Sequence, residues 1–374
     1  GGNADSEGFG DFLYSVPTSY KSLCSANLPI SDDIDPAQTD DNFPQKQFNV
    51  LTYNASGGDS YTGLGFKPDL VWVKWRGGDQ SNALFDSSRG TTKVLNSDAT
   101  NAEATSSGLT SFDTDGFTMG QYYNQSGRDY VAWCWRANGG TTASNSNGQT
   151  TSTVQANQAA GFSIVQYAGS LTSSGTKTIG HGLSKAPECI MIKNPDKTGR
   201  WFVQHTGLTS WNYYISLNTN SAQTNASGNG SMSDPTNTVF YTNWTEGSNE
   251  NPYNHIAYVW HSVEGYSKFG SYEGNSNNDG PFIYTGFRPR MLWIKEIDTA
   301  DDWVVYDTAR STFNPVQKVL RYESNTSEFD GTSRAIDMLS NGFKIRTSNN
   351  TINQSNTFVY GCFSDVPFKY NNTF

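Results

Sequence analysis

The chain has 374 residues, of which 35% are hydrophobic and 14% aromatic, and its formal net charge is −10 at pH 7. Abundant aromatic residues among Gly, Ser, Thr and Asn favour short strands joined by polar turns over helical bundles. The negative charge argues against nucleic acid as a partner, and the lack of an apolar run of about 18 residues argues against membrane insertion.

Residues 1–47 are predicted to form a separate N-terminal segment. They carry apolar side chains, but too few for the core of a domain. We expect the segment to close a preceding domain or to dock on the module that follows. The sequence starts with Gly1-Gly2-Asn3, without an initiator Met or a signal peptide, and is therefore expected to be a piece of a longer protein.

From residue 48 onward the sequence repeats itself three times. Each repeat opens with a short strand pattern that ends in Tyr, at residues 48–53, 162–167 and 268–272. Further on, a proline stands six residues before a lysine, and an Asp or His follows twelve residues after that lysine. These repeat-defining residues are Pro68, Lys74 and Asp86, then Pro187, Lys193 and His205, then Pro289, Lys295 and Asp307.

The apolar run between each proline and lysine predicts a strand buried on both faces, in the centre of a sheet. Tight turns are predicted at Asp115-Gly116 and Asn341-Gly342, and each repeat closes with an aromatic strand. This pattern predicts an all-β fold of three tandem β-sandwich (jelly-roll-like) modules, arranged as beads with separate cores. The modules are expected at 48–137, 161–264 and 265–374, with a polar linker at 138–160.

The repeated lysines raise two hypotheses. If each lysine faces Asp86, His205 or Asp307 across a hairpin, the pairs could form a repeated acid–base or ligand site. The alternative is a set of strand-end ion pairs or solvated charges, worth ~0–1 kcal/mol each when exposed. The His in the second repeat breaks the charge pairing, and the alternative is therefore favoured.

The second repeat is rich in Trp and Tyr beside Asn and Thr. Exposed rings of this kind could stack on sugars while amides and hydroxyls bond the sugar hydroxyl groups. The alternative is that the rings fill the core, since Trp and Tyr are highly buried on average. The candidate carbohydrate-binding residues are Trp201, Trp211, Tyr213, Tyr214, Tyr241, Trp244 and Tyr253.

Acidic residues supply weak candidates for other chemistry. Two short acidic strings could give oxygen ligands to Ca²⁺, but neither has the EF-hand spacing, and turn aspartates are the simpler account. No cofactor and no other metal is expected. No pair of carboxylates stands out for glycoside hydrolysis, and no G-x-S-x-G motif occurs. The Ca²⁺ candidates are Asp113, Asp115, Asp298, Asp301 and Asp302.

The four cysteines lack the spacing of a metal or redox motif. Three of them lie in apolar runs, which predicts buried free thiols; one accidental disulfide is the alternative. The residues are Cys24, Cys134, Cys189 and Cys362.

Several strings point to a known group of proteins. They include VPTSYKSLCSANLP at 16–29, GYSKFGSYEGN at 265–275, YTGFRP at 284–289, LSNGFK at 339–344 and PFKY at 367–370. With these strings the chain resembles uncharacterised structural or tail-fibre-like proteins of marine bacteriophages, which carry repeated β-sandwich modules. Members of that group often have a lectin-like sandwich before the first string, and no catalytic residues are established for them.

The resemblance implies a non-enzymatic virion protein, part of a tail fibre or external appendage on the particle surface, assembled in the host cytoplasm. It also implies other virion proteins as partners, a homotrimer, and host surface polysaccharide as a ligand. Two alternatives stay open. A tailspike polysaccharide depolymerase would release reducing ends from a glycan, and a capsid or tail decoration protein would bind no ligand at all.

Overall fold

The computed structural model describes residues 2–24, 27, 44–245 and 247–364. Within these residues nearly all regular structure is β-strand, which confirms the predicted all-β class. No helix in the described part of the chain is long and apolar enough to cross a membrane. The helical turns described there are Pro44–Lys46, Ser227–Asn229, Thr332–Arg334 and Asn350–Asn353.

The first module packs a six-stranded sheet against a three-stranded one. Its strands are β1 (Phe48–Asn54), β2 (Asp59–Thr62), β3 (Leu70–Trp75), β4 (Ala83–Asp86), β5 (Lys93–Asn96), β6 (Ala104–Thr105), β7 (Leu109–Asp113), β8 (Gly116–Met119) and β9 (Asp129–Trp135). The larger sheet has the order β1-β9-β3-β4-β5-β6, and the smaller has β2-β8-β7.

The second module has an eight-stranded sheet and a two-stranded one. Its strands are β10 (Ala143–Asn145), β11 (Ser152–Asn157), β12 (Phe162–Ala168), β13 (Thr176–Gly180), β14 (Cys189–Lys193), β15 (Phe202–His205), β16 (Tyr213–Ser216), β17 (Thr224–Asn225), β18 (Val239–Asn243) and β19 (Asn254–Trp260). The larger sheet has the order β10-β11-β12-β19-β14-β15-β16-β17, and β13 pairs with β18.

The third module returns to six strands against three. Its strands are β20 (Ser267–Glu273), β21 (Phe282–Tyr284), β22 (Pro289–Glu296), β23 (Trp303–Asp307), β24 (Lys318–Arg321), β25 (Phe329–Asp330), β26 (Ile336–Leu339), β27 (Gly342–Ile345) and β28 (Thr357–Ser364). The larger sheet has the order β20-β28-β22-β23-β24-β25, and the smaller has β21-β27-β26.

The three larger sheets share one antiparallel plan. The opening strand pairs with the closing strand, and the closing strand pairs with the strand between Pro and Lys. The Pro-to-Lys strands β3, β14 and β22 therefore lie inside their sheets, and they bury almost all of their side chains. The predicted central, doubly buried strand is confirmed in every repeat.

Two turn glycines are required by close approach of the neighbouring strand. A Cβ built on Gly116 would lie 1.8 Å from the carbonyl oxygen of Tyr61, and one on Gly342 would lie 2.1 Å from that of Ile283. No side chain fits at such distances. The Asp-Gly and Asn-Gly dipeptides therefore let the small sheet of their module close.

Each sandwich has its own interior, built from every second residue of its central strands. In β3, for example, Val71 and Val73 belong to the interior of the first module. Separate interiors of the same kind lie in the second and third modules. To this extent the prediction of one core per module agrees with the structure.

The alternate residues face the other way and build a further core that all three modules share. We call it the central core. Its aromatic members include Trp72, Trp133 and Trp135 from the first module, Trp201, Tyr258 and Trp260 from the second, and Trp293, Trp303 and Phe363 from the third.

The prediction of beads in series is therefore wrong. The three larger sheets turn their outer faces towards one another and bury them together, so the modules form a closed ring. The physical reason is that both faces of each central strand are apolar, and a two-layer sandwich can cover only one of them.

At one end of the central core the closing strands of the three modules meet. The ring centroid of Trp135 lies 6.1 Å from that of Trp260 and 5.4 Å from that of Phe363, and the Phe48 centroid lies 5.0 Å from that of Phe363. The first strand of the ring begins near Phe48 and the last strand ends near Phe363, so both termini of the ring lie at this end. We call this end the terminal pole.

The polar stretch 138–160 is not a linker, contrary to the prediction. It contains β10 and β11, and β11 pairs with β12 along six residue pairs. Polar composition concealed these strands, because β11 buries the polar side chains of Ser152 and Gln155 together with Val154.

In the N-terminal segment, the backbone folds around a carboxylate. Asp5 accepts hydrogen bonds from the backbone N–H groups of Ser22, Phe9 and Glu7 and from the side chain of Asn27. The bond from the Ser22 N–H is the main reason why the pKa of Asp5 lies well below its usual range. Much of the rest of the predicted segment 1–47 lies outside the described residues.

All four cysteines are free thiols, as predicted. Cys134, Cys189 and Cys362 are buried, whereas Cys24 is partly exposed. Burial raises the pKa of each of the three buried thiols.

Candidate functional site

The repeated lysines lie at the end of the central core opposite to the terminal pole, which we call the lysine pole. Lys74, Lys193 and Lys295 are each fully buried. The hairpin register explains why they do not face the predicted partners. Leu70 is the residue of β3 that lies opposite Asp86. Lys74 is four residues further along β3, and because a strand rises about 3.3 Å per residue, it lies far from Asp86. Both hypotheses, the acid–base pair and the exposed ion pair, are therefore wrong in geometry.

Each lysine reaches instead into a neighbouring module. Lys74 donates to the carbonyl of Ser324 in the third module at 2.7 Å. Lys193 donates to Thr100 in the first module at 3.3 Å, and Lys295 donates to Asn220 in the second at 3.3 Å. The contacts run from first to third, third to second and second to first, so they close a ring of pseudo-threefold symmetry.

A second set of contacts repeats in the same cyclic order. The backbone carbonyl of the residue two positions after each lysine accepts a hydrogen bond from a backbone N–H of the neighbouring module. The N–H of Glu328 donates to the Arg76 carbonyl at 2.8 Å, that of Glu103 to Pro195 at 2.7 Å, and that of Gln223 to Ile297 at 3.0 Å. These bonds tie the three module boundaries together with one shared geometry.

Burial lowers the pKa of Lys74 to about 8 and that of Lys295 to about 8, because a charged ammonium loses solvation there. Carbonyl oxygens nevertheless surround each ammonium group. Lys74 donates to the Asn82 side chain and to Ser324, Lys295 donates to Asn220 and Glu296, and Lys193 has four backbone acceptors. These lysines therefore act as cross-links between modules.

The aspartates of the repeat are also buried in structural bonds. Asp86 pairs with Arg89 and accepts a hydrogen bond from the Tyr258 hydroxyl of the second module at 2.7 Å. Asp307 pairs with Arg310 and accepts from the Trp133 indole of the first module at 3.1 Å. In each pair the acid and the base are three residues apart in the chain.

In the second module this pair is absent, because His205 and Leu208 occupy the equivalent positions. The ring of His205 packs edge-on against Trp293 of the third module, with centroids 5.5 Å apart. Burial lowers the pKa of His205 to about 3, so the ring is neutral at pH 7. An apolar contact thus replaces the ion pair at this boundary.

The aromatic residues proposed for sugar stacking differ in how deeply the structure buries them. Trp201 and Tyr214 are buried in the central core and in the interior of the second module, so the stacking hypothesis is wrong for them. The other five are half-buried or exposed, and Trp244 has the most open position among them, at 39% exposure. Tyr253 lies under a cation, the Lys197 ammonium, 4.8 Å from the ring centroid.

The Ca²⁺ candidates have other roles. Asp115 accepts hydrogen bonds from the backbone N–H groups of Gly63 and Gly65, and Asp302 forms ion pairs with Arg321 and Arg334. Within the described residues no group of three or more His, Cys, Asp or Glu side chains could hold a metal ion. The other candidates accept local hydrogen bonds: Asp113 from Ser111 and Thr118, Asp298 from Thr357, and Asp301 from Asp302.

A cavity of about 450 Å³ lies between the first and second modules. We call it the boundary cavity. Glu103 enters it from the first module, while Gln166 and His255 line it from strands of the second. A volume of this size is within the ~300–1,000 Å³ of ordinary ligand sites. Two further cavities lie on the first module. One, of about 790 Å³ beside Tyr122, is also lined by Asn325 of the third module, and the other, of about 370 Å³, lies beside Phe66.

The boundary cavity contains two carboxylates. Glu103 is held by Arg89 at 3.1 Å and by Lys93 at 3.5 Å. Asp196 accepts two hydrogen bonds from Asn254, both at Oδ2.

No signal in the sequence singled out the boundary cavity. Its walls come from residues far apart in the chain, such as Glu103 and His255, which only ring closure brings together. The lysines, in contrast, had a signal, because a charged residue continued an apolar run at the same place in all three repeats.

The neutral histidines make stability depend on pH. Nδ1 of His181 accepts the Leu183 N–H and Nε2 donates to the Thr236 carbonyl, and burial lowers the pKa of His181 to about 4. Because the unfolded pKa is about 6.5, this stabilisation is complete above pH 6.5 and is lost as the pH falls towards 4. We expect His181 alone to lower the free energy of unfolding by about 2–3 kcal/mol between pH 7 and about pH 4.5.

Urea unfolding of the wild type and His181→Gln at pH 7 and about pH 4.5 measures this loss. Glutamine offers the same donor and acceptor without titrating, so the variant should lose less stability on acidification. An equal loss in both proteins would contradict the assignment.

Comparison with known proteins gives one match. A family model described as a domain of unknown function (DUF7483) matches residues 43–367, which include the whole ring. No curated protein and no solved structure matches the chain significantly.

Proposed function

Because this chain belongs to the DUF7483 family, a domain family of unknown function, its role must be argued from its own structure, and we propose that it is a non-enzymatic structural unit on the surface of a phage particle. In this proposal it is part of a tail fibre or another external appendage, assembled in the host cytoplasm with other virion proteins, and it contacts host surface glycans.

The observation that carries the proposal is the closed ring. Three sandwiches are locked by a common core and by buried cross-links, which suits a stiff body that must keep its shape outside a cell. The first and last strands of the ring meet at the terminal pole, where the centroids of Phe48 and Phe363 are 5.0 Å apart. A ring attached there presents its lysine pole and its sides outward.

The strings at 16–29 and 265–275 support the phage setting through their resemblance to marine phage proteins. A homotrimer remains part of the proposal, as expected for a fibre. The central core does not depend on it, since one chain already supplies three sandwiches around the axis.

Cryo-EM of an intact particle that contains the chain tests the proposal. We expect density for the ring on a fibre or appendage, with the terminal pole towards the particle. Absence of the chain from purified particles by mass spectrometry would refute the virion role. Release of reducing ends from a glycan panel would instead establish the depolymerase alternative.

A further inference from the structure

We propose that the side-chain amine of Lys74 and the side-chain amide of Asn82 join in an intramolecular isopeptide bond, a covalent cross-link inside the first module. Both side chains are fully buried, and Nζ of Lys74 lies 2.6 Å from Oδ1 of Asn82. Because a carbonyl bond is about 1.23 Å long, Nζ lies at most about 3.8 Å from Cγ of the amide. The two atoms that would bond are therefore already close to the ~3–3.5 Å of a reacting pair.

The hairpin between β3 and β4 brings this pair together. Val73 and Ala83 lie opposite each other in the register, and Lys74 and Asn82 are the next residues towards the turn. The Asn82 amide has a fixed orientation, because its nitrogen donates to the Tyr322 carbonyl of the third module at 2.9 Å. Its carbonyl group therefore faces the lysine, as attack on the amide carbon requires.

The other two repeats have different residues at the position of the amide. Eight residues after the lysine, the first module has Asn82, whereas the second has Trp201 and the third has Trp303. Both indoles are buried in the central core and offer no amide carbon to an amine. Lys193 and Lys295 donate to backbone carbonyls. Among the three repeats, the first alone places a side-chain amide at this position beside its buried lysine.

The surroundings of Lys74 favour an uncharged, nucleophilic amine. Burial lowers the pKa of Lys74 to about 8, so about a tenth of the molecules carry the neutral amine at pH 7. The carboxyl groups of Asp98 and Glu323 act on the charge of Lys74, and Asp98 also accepts the backbone N–H of Asn82 at 2.9 Å. Burial raises the pKa of both carboxyl groups, which makes them stronger bases than usual. They can therefore accept a proton from the ammonium.

The reaction balances without any further reactant. The lone pair of the neutral Lys74 amine attacks Cγ of Asn82, a bond forms between Nζ and Cγ, and the bond from Cγ to Nδ2 breaks. One proton passes from Nζ to Nδ2 by way of a carboxyl group, and ammonia leaves. The product is a secondary amide that joins β3 to the start of β4, so the hairpin can no longer open at this point.

Mass spectrometry of the folded chain tests the inference. The wild type should be lighter than its sequence by one ammonia, and after denaturation trypsin should not cleave at Lys74. Cleavage at Arg76 should then give a branched peptide in which Lys74 and Asn82 are joined. Lys193 and Lys295 are internal controls and should be cleaved normally, because a Trp occupies the position of the amide in their repeats.

Two variants each remove one reacting group. Lys74→Arg keeps the positive charge but supplies no nucleophilic amine, and Asn82→Ala removes the amide carbon. Both should have the full mass of their sequences and give no branched peptide. The wild-type peptide map decides the matter even if neither variant folds.

A folded wild type with the full mass of its sequence and normal cleavage at Lys74 overturns the inference. Loss of ammonia that maps to a single asparagine also overturns it, as for a succinimide at Asn341-Gly342. Neither result bears on the proposed virion role, which does not depend on this bond.

Discussion

Replacing Arg310 by Met should lower the free energy of unfolding by about 3–5 kcal/mol, because it leaves the buried carboxylate of Asp307 without its cation. The Arg310 side chain is fully buried, bonds Asp307 and Glu328, and donates to the Val305 carbonyl at 3.0 Å. Asp307 also accepts from Trp133 of the first module, so the loss should loosen a boundary between modules. Chemical denaturation of wild type and variant measures the difference.

Arg346→Met is the matched control. Arg346 also pairs with an aspartate, Asp337 at 2.7 Å, but it is 47% exposed, so its loss should change stability by less than about 1 kcal/mol. The second module suggests a rescue, because it has His205 and Leu208 at these positions. The double variant Asp307→His/Arg310→Leu should therefore recover part of the loss, and equal damage from the single and double variants would argue against a stranded charge.

Replacing Trp303 by Ala should destabilise all three modules at once. Trp303 is fully buried in the central core, and its indole N–H lies 3.1 Å from the Ser216 carbonyl of the second module. Truncation of a buried Trp costs about 3–5 kcal/mol. Calorimetry should show one cooperative transition, shifted as a whole to lower temperature.

Hydrogen exchange distinguishes this from independent beads. In the variant, amides of the closing strands β9, β19 and β28 should lose protection together, because their side chains share one core. Trp244→Ala, at an exposed position in the second module, should leave all three unchanged. Loss of protection confined to β28 would contradict the shared core.

The fold could be predicted in part because its strands carry local signals. Prolines, tight-turn glycines and apolar runs recur in each repeat, and these determine strands and hairpins directly. The ring could not be predicted by the same means, since closure depends on which sheet covers the second apolar face. The alternation of Trp72 with Val71 and Val73 in one strand did contain a hint, because both sets are apolar.

The candidate site was less predictable for a related reason. Its walls come from two modules that only ring closure brings together, and a proline such as Pro195, two residues after a lysine, has no meaning in isolation. Trp201 misled the sugar-stacking hypothesis because a Trp in a polar neighbourhood of the sequence can still point its ring inward. The equivalent position in the first module is Asn82, whose amide donates to the Tyr322 carbonyl at 2.9 Å.

Covalent fusion of the three sandwiches has a consequence for valency. A ring of three identical chains would have to repeat every boundary, so a hollow at one would occur at all, and a charge network at one would occur at all. Within a single polypeptide the three seams can differ: two hold a buried aspartate–arginine pair, and at the third an apolar contact of His205 with Trp293 takes its place. One repeated frame can thus carry different side chains at each seam, which a ring of identical chains could not do.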